Sequence, residues 1–250
     1  MRKILLVFMI LPCLAKMGLW AAGPRTLAST AWTAAFCRAA GITDVTVLAS
    51  VYLLHPPDYE LKPSDIPVLM EAELIVAGGY EAMMERLHTH ASSSGARLVQ
   101  IETSYDPAIM TKSVETLAAV AGTVPAGLEA VKLAWQEARR QIVMAGLGGA
   151  RVIVHSFYVP FAQEMGFEVQ GVFGPMPPGP RSIAELAEIP AMIIIDNGHN
   201  PAADSLREVH KDSVFVELIN FPGQDGTVEL ADVIAYNAGV LIKGASKKEM

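Results

Sequence analysis

Short apolar runs alternate with helix-forming segments along this chain, and that alternation confines it to folds whose sheets are built from βα units. Residues 26–30 read as a short strand, residues 31–40 as an alanine-rich helix stopped by Gly41, and residues 45–49 as a second strand. A turn-rich loop follows, and Lys62-Pro63-Ser64-Asp65 then starts a helix with Ser64 or Asp65 as its cap. The run Leu74-Ile75-Val76-Ala77 is a third strand ending at Gly78-Gly79, and residues 97–101 are a fourth. Strands separated by helices call for parallel pairing.

Residues 126–144 carry Leu128, Val131, Leu133, Ala138 and Ile142 at helical spacing between charged positions. A helix of about 20 residues spans about 30 Å, enough to pass from one lobe to another. Gly146-Leu147-Gly148-Gly149 closes it, and a second βα series runs through residues 152–154, 167–172, 191–195 and 213–218 to a final helix over 228–242. The expected fold is α/β, with two βα lobes of parallel sheet joined by one long helix. Its divisions are a leader at 1–22, a first lobe at 23–123, a linking helix at 124–147 and a second lobe at 148–250. A length of 250 residues suits two such cores.

The amino terminus reads as an export signal: Met1-Arg2-Lys3 precede an apolar run and small residues at Ala21-Ala22-Gly23. The run is interrupted by Lys16 and is too short to span a bilayer. Secretion to the periplasm or another extracytoplasmic space is the expectation, with lipid attachment at Cys13 the lesser alternative because Pro12 sits where a small residue belongs. Without Cys13, Cys37 is the single remaining thiol, read as buried and inert. The formal charge is −7; removing the leader's three cations, Arg2, Lys3 and Lys16, leaves −10. An acidic chain without a basic stripe excludes nucleic acid as a partner.

Open α/β sheets bind ligands beyond the carboxyl ends of their strands. His55, Glu102, His155 and Glu217 all fall at or near such ends. Two imidazoles and two carboxylates make a mixed nitrogen and oxygen shell suited to zinc, manganese or iron(II). His88-Thr89-His90 competes for that role but reads as a solvated helix end. Asn197-Gly198-His199-Asn200 is a turn by composition, with His199 exposed and Asp196 supporting a ligand histidine from behind. The chain has no Gly-x-Ser-x-Gly, phosphate-cradling loop or His-Glu-x-x-His, so enzyme signatures are missing.

The stretch His55-Pro56-Pro57-Asp58-Tyr59-Glu60-Leu61-Lys62-Pro63-Ser64-Asp65 resembles the metal-binding solute receptors of ABC importers, the zinc and manganese cluster A-I or TroA-like family. Gly79-Tyr80-Glu81, Val154-His155-Ser156-Phe157-Tyr158, Gly166-Phe167-Glu168-Val169 and the terminal Gly226-Thr227 with Tyr236-Asn237 extend the resemblance over nearly the whole mature length. It implies two α/β lobes joined by one helix, with a metal in the cleft held by one residue from each of four loops. Carried over, His155 matches the third ligand. The first falls at Pro57, so His55 is offset by two residues. Glu102 stands in the second place, ahead of Asp106-Pro107, and Glu217 in the last, with Asn220 or Asp225 under other placings. The reading is an exported, monomeric receptor rather than an enzyme, carrying zinc or manganese to an ABC permease. A receptor for a chelated or organic ligand and a metal-dependent hydrolase are the alternatives.

Overall fold

The computed structural model describes residues 24–246; the expected leader and Cys13 lie outside them. The first lobe runs β1 (Thr26–Ala28), α1 (Ala31–Ala39), β2 (Val45–Val47), α2 (Ile66–Glu71), β3 (Leu74–Ala77), α3 (Met84–Ser94), β4 (Arg97–Gln100) and α4 (Pro107–Ala121). Its four strands pair in parallel in the order β2-β1-β3-β4. The α5 helix (Leu128–Met144) leads into β5 (Arg151–His155), α6 (Val159–Glu164), β6 (Glu168–Phe173), α7 (Pro180–Ala187), β7 (Ile193–Asn197), β8 (Val214–Leu218), β9 (Pro222–Asp225) and α8 (Leu230–Ser246). The second sheet is again parallel, in the order β6-β5-β7-β8. In each sheet the order reverses beside the first strand, and the crevice at that reversal opens at the carboxyl ends.

Local sequence explains the elements. Thr30 caps α1, its hydroxyl oxygen accepting from the Thr33 amide while the Thr33 hydroxyl oxygen accepts from the Thr30 amide. Asp106 caps α4 by accepting from the amides of Ala108 and Ile109, with Pro107 at the first helical position. Val131, Trp135, Ala138 and Ile142 line one face of α5, and that face is buried. Strand β3 and the Ile193-Ile194-Ile195 run of β7 are apolar because helices cover both faces of a parallel sheet, while Asp196 and Asn197 end β7 at the cleft side.

A continuous core crosses both lobes. Tyr105, just after β4, packs against Trp32 of α1 at 5.3 Å, Tyr158 at 5.4 Å and Phe161 of α6 at 5.4 Å between ring centroids. Trp135 of α5 stands 5.4 Å from Phe161. Arg38 of the first lobe reaches Glu229 of the second at 2.9 Å. These contacts set the two sheets' carboxyl ends facing one space. Among the described residues, no helix is long and apolar enough to cross a membrane.

Candidate functional site

A cleft of about 590 Å³ lies where the strand-end loops of both lobes converge. The first lobe contributes the loops after β2, β3 and β4, and the second those after β5, β6, β7 and β8. His55 and Glu102 line it, as expected, together with Pro57, Tyr80 and Tyr105. The opposite wall holds Ser156, Phe157, Asn197, His199 and Asn220. Among the described residues, no Lys or Arg lines it. An anion would therefore find no cation to meet it there, whereas a cation or neutral ligand meets imidazoles, amides and one carboxylate.

The His55 loop is built by its own sequence. A single 3₁₀ turn over Pro56–Asp58 begins at His55, and Nδ1 of His55 lies 2.9 Å from the Asp58 carboxylate. Farther on, Asp65 accepts from the Tyr59 hydroxyl and the Lys62 amide, both at 2.8 Å, which folds the Tyr-Glu-Leu-Lys-Pro-Ser-Asp stretch into a fixed hook. Behind it Glu81 is buried; its carboxylate accepts from the amides of Gly78 and Gly79 at 2.8 Å and from the Ser29 hydroxyl. Tyr80, between them, has its phenol pushed up to about 12 by burial, opposed by the hydrogen bond from Thr103.

His155 is placed differently from the expectation of a wall ligand. It ends β5, is fully buried, and lies beneath the cleft floor between Phe157 and Phe173, with centroids 4.8 and 5.6 Å away. Its Nδ1 accepts from the Phe157 amide at 3.3 Å, and Nε2 has no hydrogen-bond partner. Nε2 faces the backbone of Gly174, where a Cβ would come within 2.6 Å of it. Burial lowers its pKa, opposed by the charge of Asp196. Glu217 stands outside the cleft lining: it lies within β8 and its carboxylate pairs with Arg207 at 3.5 Å. The structure thus brings together two of the four expected ligands and leaves two out of the wall.

His199, expected to be exposed, lines the cleft. Asp196 at the end of β7 is the cause: its buried carboxylate accepts from the amides of Asn197, Ala202 and Ala203, folding residues 197–203 back over the sheet. These bonds occupy Asp196, which was expected to support a ligand histidine. The Asn197 side-chain oxygen takes the His199 amide at 2.9 Å, and the His199 ring packs edge-on against Phe221 at 5.1 Å. Burial pushes its imidazole down to about 4; the neighbouring Asn220 carboxamide opposes the shift and His55 adds to it. The His199 ring and the Asn220 carboxamide lie close together, yet among the described residues neither His199 Nδ1 nor Asn220 Oδ1 has a partner in full hydrogen-bond geometry, and Ser156 Oγ and Asn197 Nδ2 are likewise buried and unpaired. Four unpaired polar atoms on one wall identify it as a ligand surface, since buried polar groups are otherwise satisfied.

His90, in α3, spends Nε2 on the Leu69 carbonyl at 2.8 Å, and neither it nor His88 lines the cleft. Asp225, one alternative for the last ligand, faces Tyr236 instead. Among the described residues, no group of three or more His, Cys, Asp or Glu side chains is placed to hold a metal ion. The donors present are two imidazoles, a carboxylate and amide oxygens.

Two α/β lobes, each a four-stranded parallel sheet, with loops meeting over a cleft, make a fold that this chain shares with solved periplasmic metal-binding proteins. The periplasmic zinc-binding protein TroA from Treponema pallidum matches with a TM-score of 0.67 at 16% identity, over 89% of this chain and 99% of that one. FpvC from Pseudomonas aeruginosa, a solute-binding protein solved with Mn2+, matches at 0.65 and 15% identity over 89% and 98% of the two chains. The laminin-binding protein Lbp of Streptococcus pyogenes matches at 0.60 and 15% over 89% and 99%. No protein-family model and no curated protein sequence matches the chain.

Proposed function

We propose that the protein is an extracytoplasmic solute receptor that captures a divalent transition metal, zinc or manganese, and delivers it as a monomer to the permease of an ABC importer. One observation carries this reading: an imidazole from each lobe, His55 and His199, and the Glu102 carboxylate open into a single cleft that no Lys or Arg among the described residues lines. Imidazole and carboxylate are the ligand types that bind such ions, and a cleft between lobes lets binding be sensed by both. Solved proteins of the same fold include a periplasmic zinc-binding protein and one solved with Mn2+.

Capture needs coordination and no bond-making, so no residue has a catalytic role. His55 contacts the ion from the first lobe, and Glu102 places a carboxylate in the same cleft. His155 acts from beneath the floor, holding the Phe157 amide that shapes it, and Glu217 braces the β7 loop region through Arg207.

Titration of chelator-stripped protein with ZnCl2 and MnCl2, followed by elemental analysis of the dialysed complex, tests the reading. The expected result is retention of one ion per chain. A protein that gives no heat and retains neither metal would refute it.

A further inference from the structure

We infer that the ion is gripped across the lobes by His55 Nε2, His199 Nδ1 and the Asn220 side-chain oxygen, and that this set selects a nitrogen-seeking ion such as zinc over manganese. The inference rests on the metal-receptor reading above and names its ligands and class of ion.

His55 is prepared for such a bond. Its Nδ1 faces the Asp58 carboxylate at 2.9 Å, so that nitrogen carries the proton and Nε2 carries the lone pair. A carboxylate behind an imidazole is the arrangement that fixes the tautomer and orientation of metal-binding histidines.

His199 is prepared from the other side. Asp196 and Asn197 fix its backbone, and Phe221 fixes its ring. Its Nδ1 and the neighbouring Asn220 Oδ1 are both buried in the cleft wall without a partner in full hydrogen-bond geometry. Leaving either group desolvated and unpaired is unfavourable, and a shared cation relieves both at once. His155 Nε2 is unpaired as well, but His155 stands outside the cleft lining, with Phe157 on Nδ1 and Gly174 facing Nε2.

The donor types then decide between metals. Two imidazole nitrogens and a neutral amide oxygen favour zinc, whereas manganese is suited to carboxylates and water. Glu102 is the only carboxylate among the described residues that line the cleft, so the manganese-like shell of two acids is absent there.

Isothermal titration with ZnCl2 and MnCl2 tests this on the mature protein and on His199→Gln, Asn220→Ala, Asp58→Asn and the control His88→Ala, with circular dichroism reporting fold. Zinc should bind more tightly than manganese to the parent. His199→Gln should weaken zinc by about 100-fold and Asp58→Asn by about 10-fold, the range seen when metal sites lose such groups. His88→Ala should bind as the parent does. Pulsed electron paramagnetic resonance of the copper(II)-loaded parent needs no variant and should register two coordinated imidazoles. A parent that binds neither ion defeats the receptor reading itself. A parent that binds zinc while His199→Gln matches it, or that prefers manganese, or whose copper signal lacks a second imidazole, defeats the ligand set alone.

Discussion

The Tyr105 hydroxyl donates a 2.6 Å hydrogen bond to the Ile219 carbonyl, joining the loop after β4 to the loop after β8 directly below the cleft. Asn237 of α8 completes the joint: its Nδ2 donates to the Tyr105 oxygen at 3.1 Å and to the Ile219 carbonyl at 2.8 Å, while its Oδ1 accepts from the Ile219 amide at 2.9 Å. Burial raises the Tyr105 phenol far above its ordinary range, so the hydroxyl keeps its proton for this bond. The two lobes therefore share a satisfied polar joint inside an aromatic core.

Tyr105→Phe removes that donor and leaves the aromatic contacts. The Ile219 carbonyl keeps its bond from Asn237, so the expected loss is about 1–2 kcal/mol, near one buried hydrogen bond with a partly orphaned partner. Urea denaturation should show a lower midpoint at unchanged slope; an unchanged midpoint would mean the joint contributes nothing.

Trp135 carries the packing of α5 against both lobes, touching Tyr105 and Phe161. Trp135→Ala should cost about 3–5 kcal/mol, because the surrounding rings are held by their own partners and cannot close the void. Thermal unfolding reads this directly, and a shift of only a degree or two would contradict the rigid core described above.

Gly174 has φ of +81°, a conformation that suits glycine, and its missing Cβ leaves room for the His155 ring. Gly174→Ala combines backbone strain with a clash against a fully buried ring. It should destabilise by about 2 kcal/mol or more. Calorimetry should find a lower melting temperature, and one equal to the parent's would show that the ring moves freely.

Cys37 is fully buried in α1, and burial pushes its thiol up to about 12, with Arg38 opposing. The unfolded chain ionises first, near 9. Stability is thus untouched by this group below pH 9 and falls as pH rises from there toward 12. The native thiol should resist iodoacetamide at pH 8 and react only after denaturant is added; rapid alkylation of folded protein would contradict the burial.

The βα alternation and the His55 loop were legible because both are local: apolar period, turn residues and capping residues lie within a few positions of one another. His199 was not. Asn197-Gly198-His199-Asn200 has the composition of an exposed turn, and its burial comes from Asp196 drawing residues 197–203 inward and from Phe221, more than 20 residues away. His155 was aligned by its strand end, yet sequence does not show that its ring would turn between Phe157 and Phe173. Glu217 failed to reach the cleft because β8 continues through Leu218. Alternation places Glu217 with Phe215 on one face, where Arg207 covers the Phe215 ring and pairs with the carboxylate. Asn220, two residues past the strand, was the alternative that the structure puts in the wall.

Asp196 links stability to binding, because one buried carboxylate organises the loop that carries His199. Asp196→Asn keeps the shape but replaces an oxygen acceptor with an amide donor facing three backbone N–H groups. The expected loss is about 2–3 kcal/mol, the range for charge-assisted hydrogen bonds and a mismatched donor. Because the loop's fold depends on these bonds, hydrogen exchange of the amides of residues 197–203 should quicken selectively while the amides of β1 and β3 keep their protection. Zinc affinity should fall in the same variant even though Asp196 touches no proposed ligand atom, since His199 Nδ1 would no longer be held in the wall. Faster exchange with undiminished zinc binding would separate loop order from capture and detach Asp196 from the site.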